Sequence, residues 1–224
     1  MDAVRLTEEL VAFDTVSSLP NEALCARLAE LLSALGAETR RVPSPHDPGQ
    51  TNLLARFGPE GPGGLAFAGH TDTVPWDRTM RATTATERDG RRLYGRGTCD
   101  MKGAIAAMVV AASAVGKQGL RDLKKPLWGA FTFQEEVGCH GAKLLDAVHP
   151  LPVEHVIIGE PTGLRPVTRH KGYMIGRVTV GGVPCHSSDP TQGASALHGA
   201  ARAVDALLGL AEGWRQERTD GFEP

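Results

Sequence analysis

The chain has 224 residues, 41% of them apolar, with 27 glycines and 15 prolines. That suits one large domain, or one domain and part of another, with many turns. Its 24 basic and 26 acidic residues nearly cancel and no Lys/Arg run occurs, so nucleic acid and membrane surfaces are not expected as partners.

In chain order, Met1-Asp2-Ala3-Val4 leads directly into a helical pattern with no apolar signal core, and no run is read as a membrane span. With four cysteines that form no CxxC pair (Cys25, Cys99, Cys139, Cys185), a reduced cytoplasmic protein is expected. Residues 3–14 carry an approximate helical stripe. Asn21 is read as the cap of a clearer helix through Leu24, Leu28, Leu31, Leu32 and Leu35, stopped by Gly36. Glu38–Val42, Asn52–Phe57 and Leu65–His70 read as strands, and Arg78–Arg92 as a polar surface excursion. Met101–Val115 is apolar nearly all round, which predicts a helix buried under a sheet and ended by Gly116. Leu127–Phe133 reads as a strand, Gly138–Val148 as a short helix and Val156–Ile158 as a fully buried strand.

Strands alternating with helices predict an α/β fold, a three-layer domain with a mixed, largely parallel sheet over residues 1–172. From Tyr173 the rhythm changes. An alternating segment, Tyr173–Val180, is followed by Gly181-Gly182 and an Ala/Leu helix over Ala194–Leu210. Residues 173–224 therefore read as the beginning of a second, α+β module.

The chemistry-bearing residues fall at strand ends, where open α/β sheets place their ligands. His70 and Asp72 stand two apart, so an extended backbone puts them on one face, where a carboxylate fixes the imidazole tautomer and raises its basicity. A histidine alone there is more often structural. Asp100 follows a glycine-rich approach and alone reads as a helix cap, yet it has an oxygen free on each side to bridge two cations. Glu135-Glu136 ends an apolar strand. Two like charges so placed are costly to bring together, and a turn at Val137-Gly138 would let both face one site. Glu160 leaves a buried strand between Gly159 and Pro161, and the proline holds it extended. His186 would ordinarily be a loop histidine. Gly95–Gly103 lacks the spacing of a phosphate loop, and Cys139-His140 and Cys185-His186 raise a thiol nucleophile, although sequence neighbours in a strand diverge.

Assembled, the segments GHTDTVP (69–75), YGRGTCDMKG (94–103), QEE (134–136), GEPT (159–162) and HSSDP (186–190) resemble the co-catalytic zinc amidohydrolase and exopeptidase family. That family includes acetylornithine deacetylase, succinyl-diaminopimelate desuccinylase, glutamate carboxypeptidase and the aminoacylases. Residues 157–174 and 186–190 look most like its deacetylase branch. The resemblance implies two Zn2+ ions per complete site, with Co2+ as a possible substitute. His70 and Glu160 would bind the first zinc, Asp100 would bridge, and Glu136 would bind the second. It makes Glu135 the general base and Asp72 the residue that orients His70. His186 becomes a lid histidine that reaches substrate across a homodimer formed through the lid. A cis peptide at Asp100–Met101 is implied too. The implied reaction is hydrolysis of an N-acyl amino acid, N2-acetyl-L-ornithine first, in arginine biosynthesis. A succinyl-diamino acid or a peptide is the alternative substrate, and an inactive fragment or interaction module the alternative role. Family members run past the equivalent of residue 224 to a further histidine ligand. Without it the second metal would keep only Asp100 and Glu136.

Overall fold

The computed structural model describes residues 2–77, 79, 84, 86–217 and 222. It divides into two compact units, Met1–Leu164 and Arg165–Pro224.

The first unit is built on a five-stranded sheet in the order β1-β2-β6-β3-β7, formed by β1 (Glu38–Pro43), β2 (Thr51–Phe57), β3 (Leu65–His70), β6 (Leu127–Thr132) and β7 (His155–Ile158). β1–β2 and β2–β6 pair antiparallel, whereas β6–β3 and β3–β7 pair parallel. The α/β class and mixed sheet are as the sequence implies. Alternation along β2 divides its side chains between two cores. Leu53, Ala55 and Phe57 face helices α1 (Ala3–Val11), α2 (Glu22–Ala34) and α3 (Lys102–Arg121), while Leu54 faces α4 (His140–Val148) through Val42, Ala130 and Leu145. These are the three layers. α1 begins as a capped helix, with the Asp2 carboxylate accepting from the Val4 amide.

Several expectations need correction. α3 does not stop at Gly116. The backbone breaks there (φ 76°, ψ 159°) and helical turns resume to Arg121. By length and composition alone this helix is apolar enough to cross a membrane, contrary to the sequence reading. Here Ile105, Ala106, Val109 and Ala112 pack it into the core. β7 is not a buried strand but, among the described residues, the sheet margin, pairing only with β3, and Ile158 is 61% exposed. Asn21 makes no side-chain cap bond. The polar excursion contains a hairpin of β4 (Glu87–Asp89) and β5 (Arg92–Tyr94); Arg78, residues 80–83 and residue 85 lie outside the described residues.

In the second unit, Tyr173–Val180 forms no ladder among the described residues. An isolated bridge joins Val183 to Ala194 before α5 (Ala196–Trp214), whose Ser195 hydroxyl accepts from the His198 amide. The segment from residue 218 on lies outside the described residues except for Phe222.

Candidate metal centre

The three parallel strands end side by side, and each is followed by one part of the site. β3 ends on His70, β6 is followed by Glu135 and Glu136, and β7 by Glu160. Asp100 arrives from the β5–α3 connection, one residue before the α3 boundary residue Met101. The Asp100–Met101 peptide is cis, as the resemblance implies. The Met101 sulfur also accepts the His70 amide at 3.2 Å.

The His70 ring is buried and held at both nitrogens. Nδ1 lies 2.9 Å from the Asp72 backbone carbonyl and 3.5 Å from its carboxylate. A carbonyl only accepts, so Nδ1 carries a proton. Nε2 lies 3.0 Å from Asp100 Oδ1 and 3.6 Å from Glu160 Oε1. Among the described residues, His70, Asp100 and Glu160 form a group whose ligand atoms all lie within 4.8 Å of one another. One imidazole nitrogen and two carboxylates, the former with its other nitrogen tied back, is a donor set that fits a zinc-type divalent cation.

Electrostatics agree with that fit. Burial pushes the imidazole pKa down, but the Asp72 carboxylate and carbonyl, and then Asp100, outweigh it and raise it to about 9. Burial raises Glu136, as do the Asp100, Glu135 and Asp72 charges. Glu160 is raised by burial and then by Asp100, Glu135 and Glu136, against the opposing pull of His70. Carboxylates crowded at the expense of their own ionisation are what a bound cation would relieve.

Asp72 does more than orient His70. It is 1% exposed, and its two oxygens collect three donors from two segments. Oδ1 accepts from the Glu135 amide at 3.0 Å; Oδ2 accepts from the Ser17 hydroxyl at 2.7 Å and the Glu136 amide at 3.3 Å. Burial works against its ionisation, but His70, Ser17 and the Glu135 amide together hold it below the usual carboxylate range. The sequence reading placed the acidic turn at Val137-Gly138. It begins earlier, at Gln134 with φ 51°, and Gly138 and Cys139 close it by donating to the Glu135 carbonyl. The Cys139 thiol donates to Glu135 Oε1 at 3.5 Å, and burial and then the Glu135 charge push its pKa up.

Two further polar residues, one read from the sequence only as a helix cap and the other passed over, brace this centre. Asn21 donates to the Thr51 carbonyl and the Thr71 hydroxyl and accepts the Thr51 amide. Lys102 is buried and donates to the Phe13 carbonyl at 2.7 Å. Burial lowers its pKa to about 8 against the opposing Asp14 and Asp72 charges. Ordinary loop or helix composition hides both roles. His186 belongs to the second unit, where its Nδ1 lies 3.2 Å from the Ser188 amide and 2.7 Å from its hydroxyl. The amide can only donate, which leaves the proton on Nε2. A cleft of about 680 Å³ among Arg40, Leu54, Arg56, Trp128 and His149 opens at the start of β6, at the far end of the strand from the carboxylates.

A mixed α/β sheet presenting histidine and carboxylates from adjacent strand ends defines a metallohydrolase class of domain, and the chain belongs to Peptidase family M20/M25/M40, matched over residues 66–216. It is 40% identical over 211 residues to the acetylornithine deacetylase of Edwardsiella ictaluri (strain 93-146), covering 93% of this chain and 54% of that one. To the acetylornithine deacetylase of Myxococcus xanthus it is 41% identical over 231 residues, covering 100% of this chain and 59% of that protein. A tripeptidase from Staphylococcus aureus subsp. aureus Mu50 shares the fold, with a TM-score of 0.62 at 22% identity over 91% of this chain and 55% of that one. The chain thus spans about half the length of the curated relatives it matches.

Proposed function

We propose that the first unit is the metal-holding part of an amidohydrolase that cleaves an N-acyl amino acid, N2-acetyl-L-ornithine first, into acetate and L-ornithine. The observation that carries this reading is the convergence of His70, Asp100 and Glu160 within 4.8 Å, beside Glu135. The deacetylase names of the relatives at about 40% identity support the substrate. When bound, a Zn2+ or Co2+ ion would supply Lewis acidity toward the amide oxygen and the attacking water. His70, Asp100 and Glu160 would hold the first ion, and Glu136, with Asp100, would serve a second. Glu135 takes the proton from water and returns it to the departing amine. Asp72 keeps His70 in the tautomer that offers Nε2. His186, protonated on Nε2, donates to the substrate carbonyl from a lid of a homodimer.

Metal content and turnover, measured together on the Zn2+-loaded chain, test the proposal. One tightly held ion, lost in His70→Ala, and release of ornithine that vanishes in Glu135→Gln are expected. Wild-type turnover retained by Glu135→Gln would remove its role, and faster cleavage of N-succinyl-diaminopimelate or a dipeptide would reassign the substrate. A second reading follows from coverage of only about half the relatives' length: these residues bind the ion without completing turnover. Ion binding with no hydrolysis of any of the three substrates would favour it.

A further inference from the structure

We infer that Ser17 is a positioning residue of the metal centre, holding Asp72 so that one carboxylate fixes both the imidazole ligand and the acidic Glu135–Glu136 turn. The inference deepens the metal-site reading and rests on it only where a cation is concerned.

Ser17 lies in the loop between α1 and α2, far in sequence from every residue of the site, and is 5% exposed. Its backbone is pinned on both sides. The amide donates to the Thr73 carbonyl at 3.1 Å, next to a parallel bridge from Val16 to Thr73, and the carbonyl accepts from Gln50 at 3.1 Å and Gln134 at 3.3 Å. A side chain so anchored has little freedom. Its hydroxyl has two acceptors within reach, the Asp72 carboxylate at 2.7 Å and the Thr73 carbonyl at 3.4 Å. The shorter, charge-assisted bond takes the proton.

The consequence lies in the arrangement around Asp72. Oδ1 serves the Glu135 amide and faces His70; Oδ2 serves Ser17 and, at a longer 3.3 Å, the Glu136 amide. Removing the hydroxyl leaves Oδ2 with that long bond alone. The carboxylate can then rotate toward the turn, and its distance to the imidazole changes with it. Ser17 also meets the turn from the other side, through Gln134. A residue with no metal-ligand chemistry therefore couples the histidine arm of the site to its glutamate arm.

The test compares wild type, Ser17→Ala and Ser17→Thr in the full 224-residue chain. In metal-free protein, Ser17→Ala should shift the His70 Nδ1 resonance and the Glu135 and Glu136 amide resonances together, and Ser17→Thr should return them toward wild type. In Co2+ titrations followed by visible absorption, Ser17→Ala should weaken binding by about tenfold, the lower end for partners that orient metal ligands. Far-UV circular dichroism checks that each variant is folded. A merely structural serine would lower thermal stability while leaving those three resonances and the Co2+ spectrum in place, and that result overturns the inference. Should wild type bind no Co2+, the metal reading falls alone, and the resonance shifts still decide the role of Ser17.

Discussion

Replacing Asp72 by Asn is the sharpest probe of how the centre is charged. The change keeps a carbonyl-type oxygen for the Glu135 amide and leaves untouched the backbone carbonyl that Nδ1 meets at 2.9 Å. Tautomer and ring orientation should persist while the negative charge is lost. In the metal-free protein the His70 pKa stands at about 9 against an ordinary 6.5, chiefly through Asp72 working against burial. At 1.36 kcal/mol per unit, the protonated ring contributes on the order of 3 kcal/mol to folding. Because the folded value is raised, that contribution is fully present below pH 6.5 and is lost as pH climbs through 9. In EDTA, the wild-type ring proton of His70 should titrate near 9 by NMR, and that of Asp72→Asn should fall by about two units. In urea, the stability gap between the two proteins should be widest at pH 6 and shrink by about 3 kcal/mol at pH 9.5. A wild-type ring titrating near 6.5, or a gap that does not change with pH, would refute the argument. A cation must displace the same proton, so Zn2+ affinity should rise with pH up to about 9.

Asn21→Ala removes all three bonds of a fully buried side chain and strands the Thr51 amide and carbonyl, so a loss of about 3 kcal/mol is expected in chemical denaturation. Gly141→Ala should be far more damaging than Gly69→Ala. A Cβ at 141 would lie 2.6 and 2.7 Å from Phe133 backbone atoms, whereas at 69 its closest neighbour is the flexible end of Met101; thermal melts of the pair check this. Alkylation with iodoacetamide at pH 7.5, mapped by mass spectrometry, should label exposed Cys99 and Cys185 first and Cys139 later. Buried Cys25, its thiol pushed up to about 12, should react only on unfolding, and Glu135→Gln should accelerate Cys139.

What was legible in the sequence was what local pattern encodes. Three strand-end positions and the β–α rhythm follow from apolar runs punctuated by glycine, and the placement of His70, Glu135 and Glu160 follows from them. The two-residue spacing of His70 and Asp72 correctly anticipates their contact. The nearer partner, however, is the Asp72 carbonyl, because β3 ends at His70 and the chain leaves the strand there. Ser17 and Asn21 were not legible as site supports. Their partners lie 30 or more residues away, and a loop hydroxyl or amide has no periodicity to announce it. Val156–Ile158 was misjudged because composition reports affinity for a core, whereas burial depends on what packs alongside. Tyr173–Val180 alternates like a strand, but alternation becomes a ladder only beside a paired backbone.

The marginal position of β7 gives the centre unequal limbs. His70 hangs from a strand flanked on both sides, whereas Glu160 extends from one with a single hydrogen-bonded neighbour among the described residues. Fraying begins at such borders. An ion gripped by both would rivet the loose limb to the firm one, so amide hydrogens of residues 156–158 should exchange more slowly once Zn2+ is added, while those of β6 scarcely respond. A strand held on one side would thereby become a built-in gauge of occupancy.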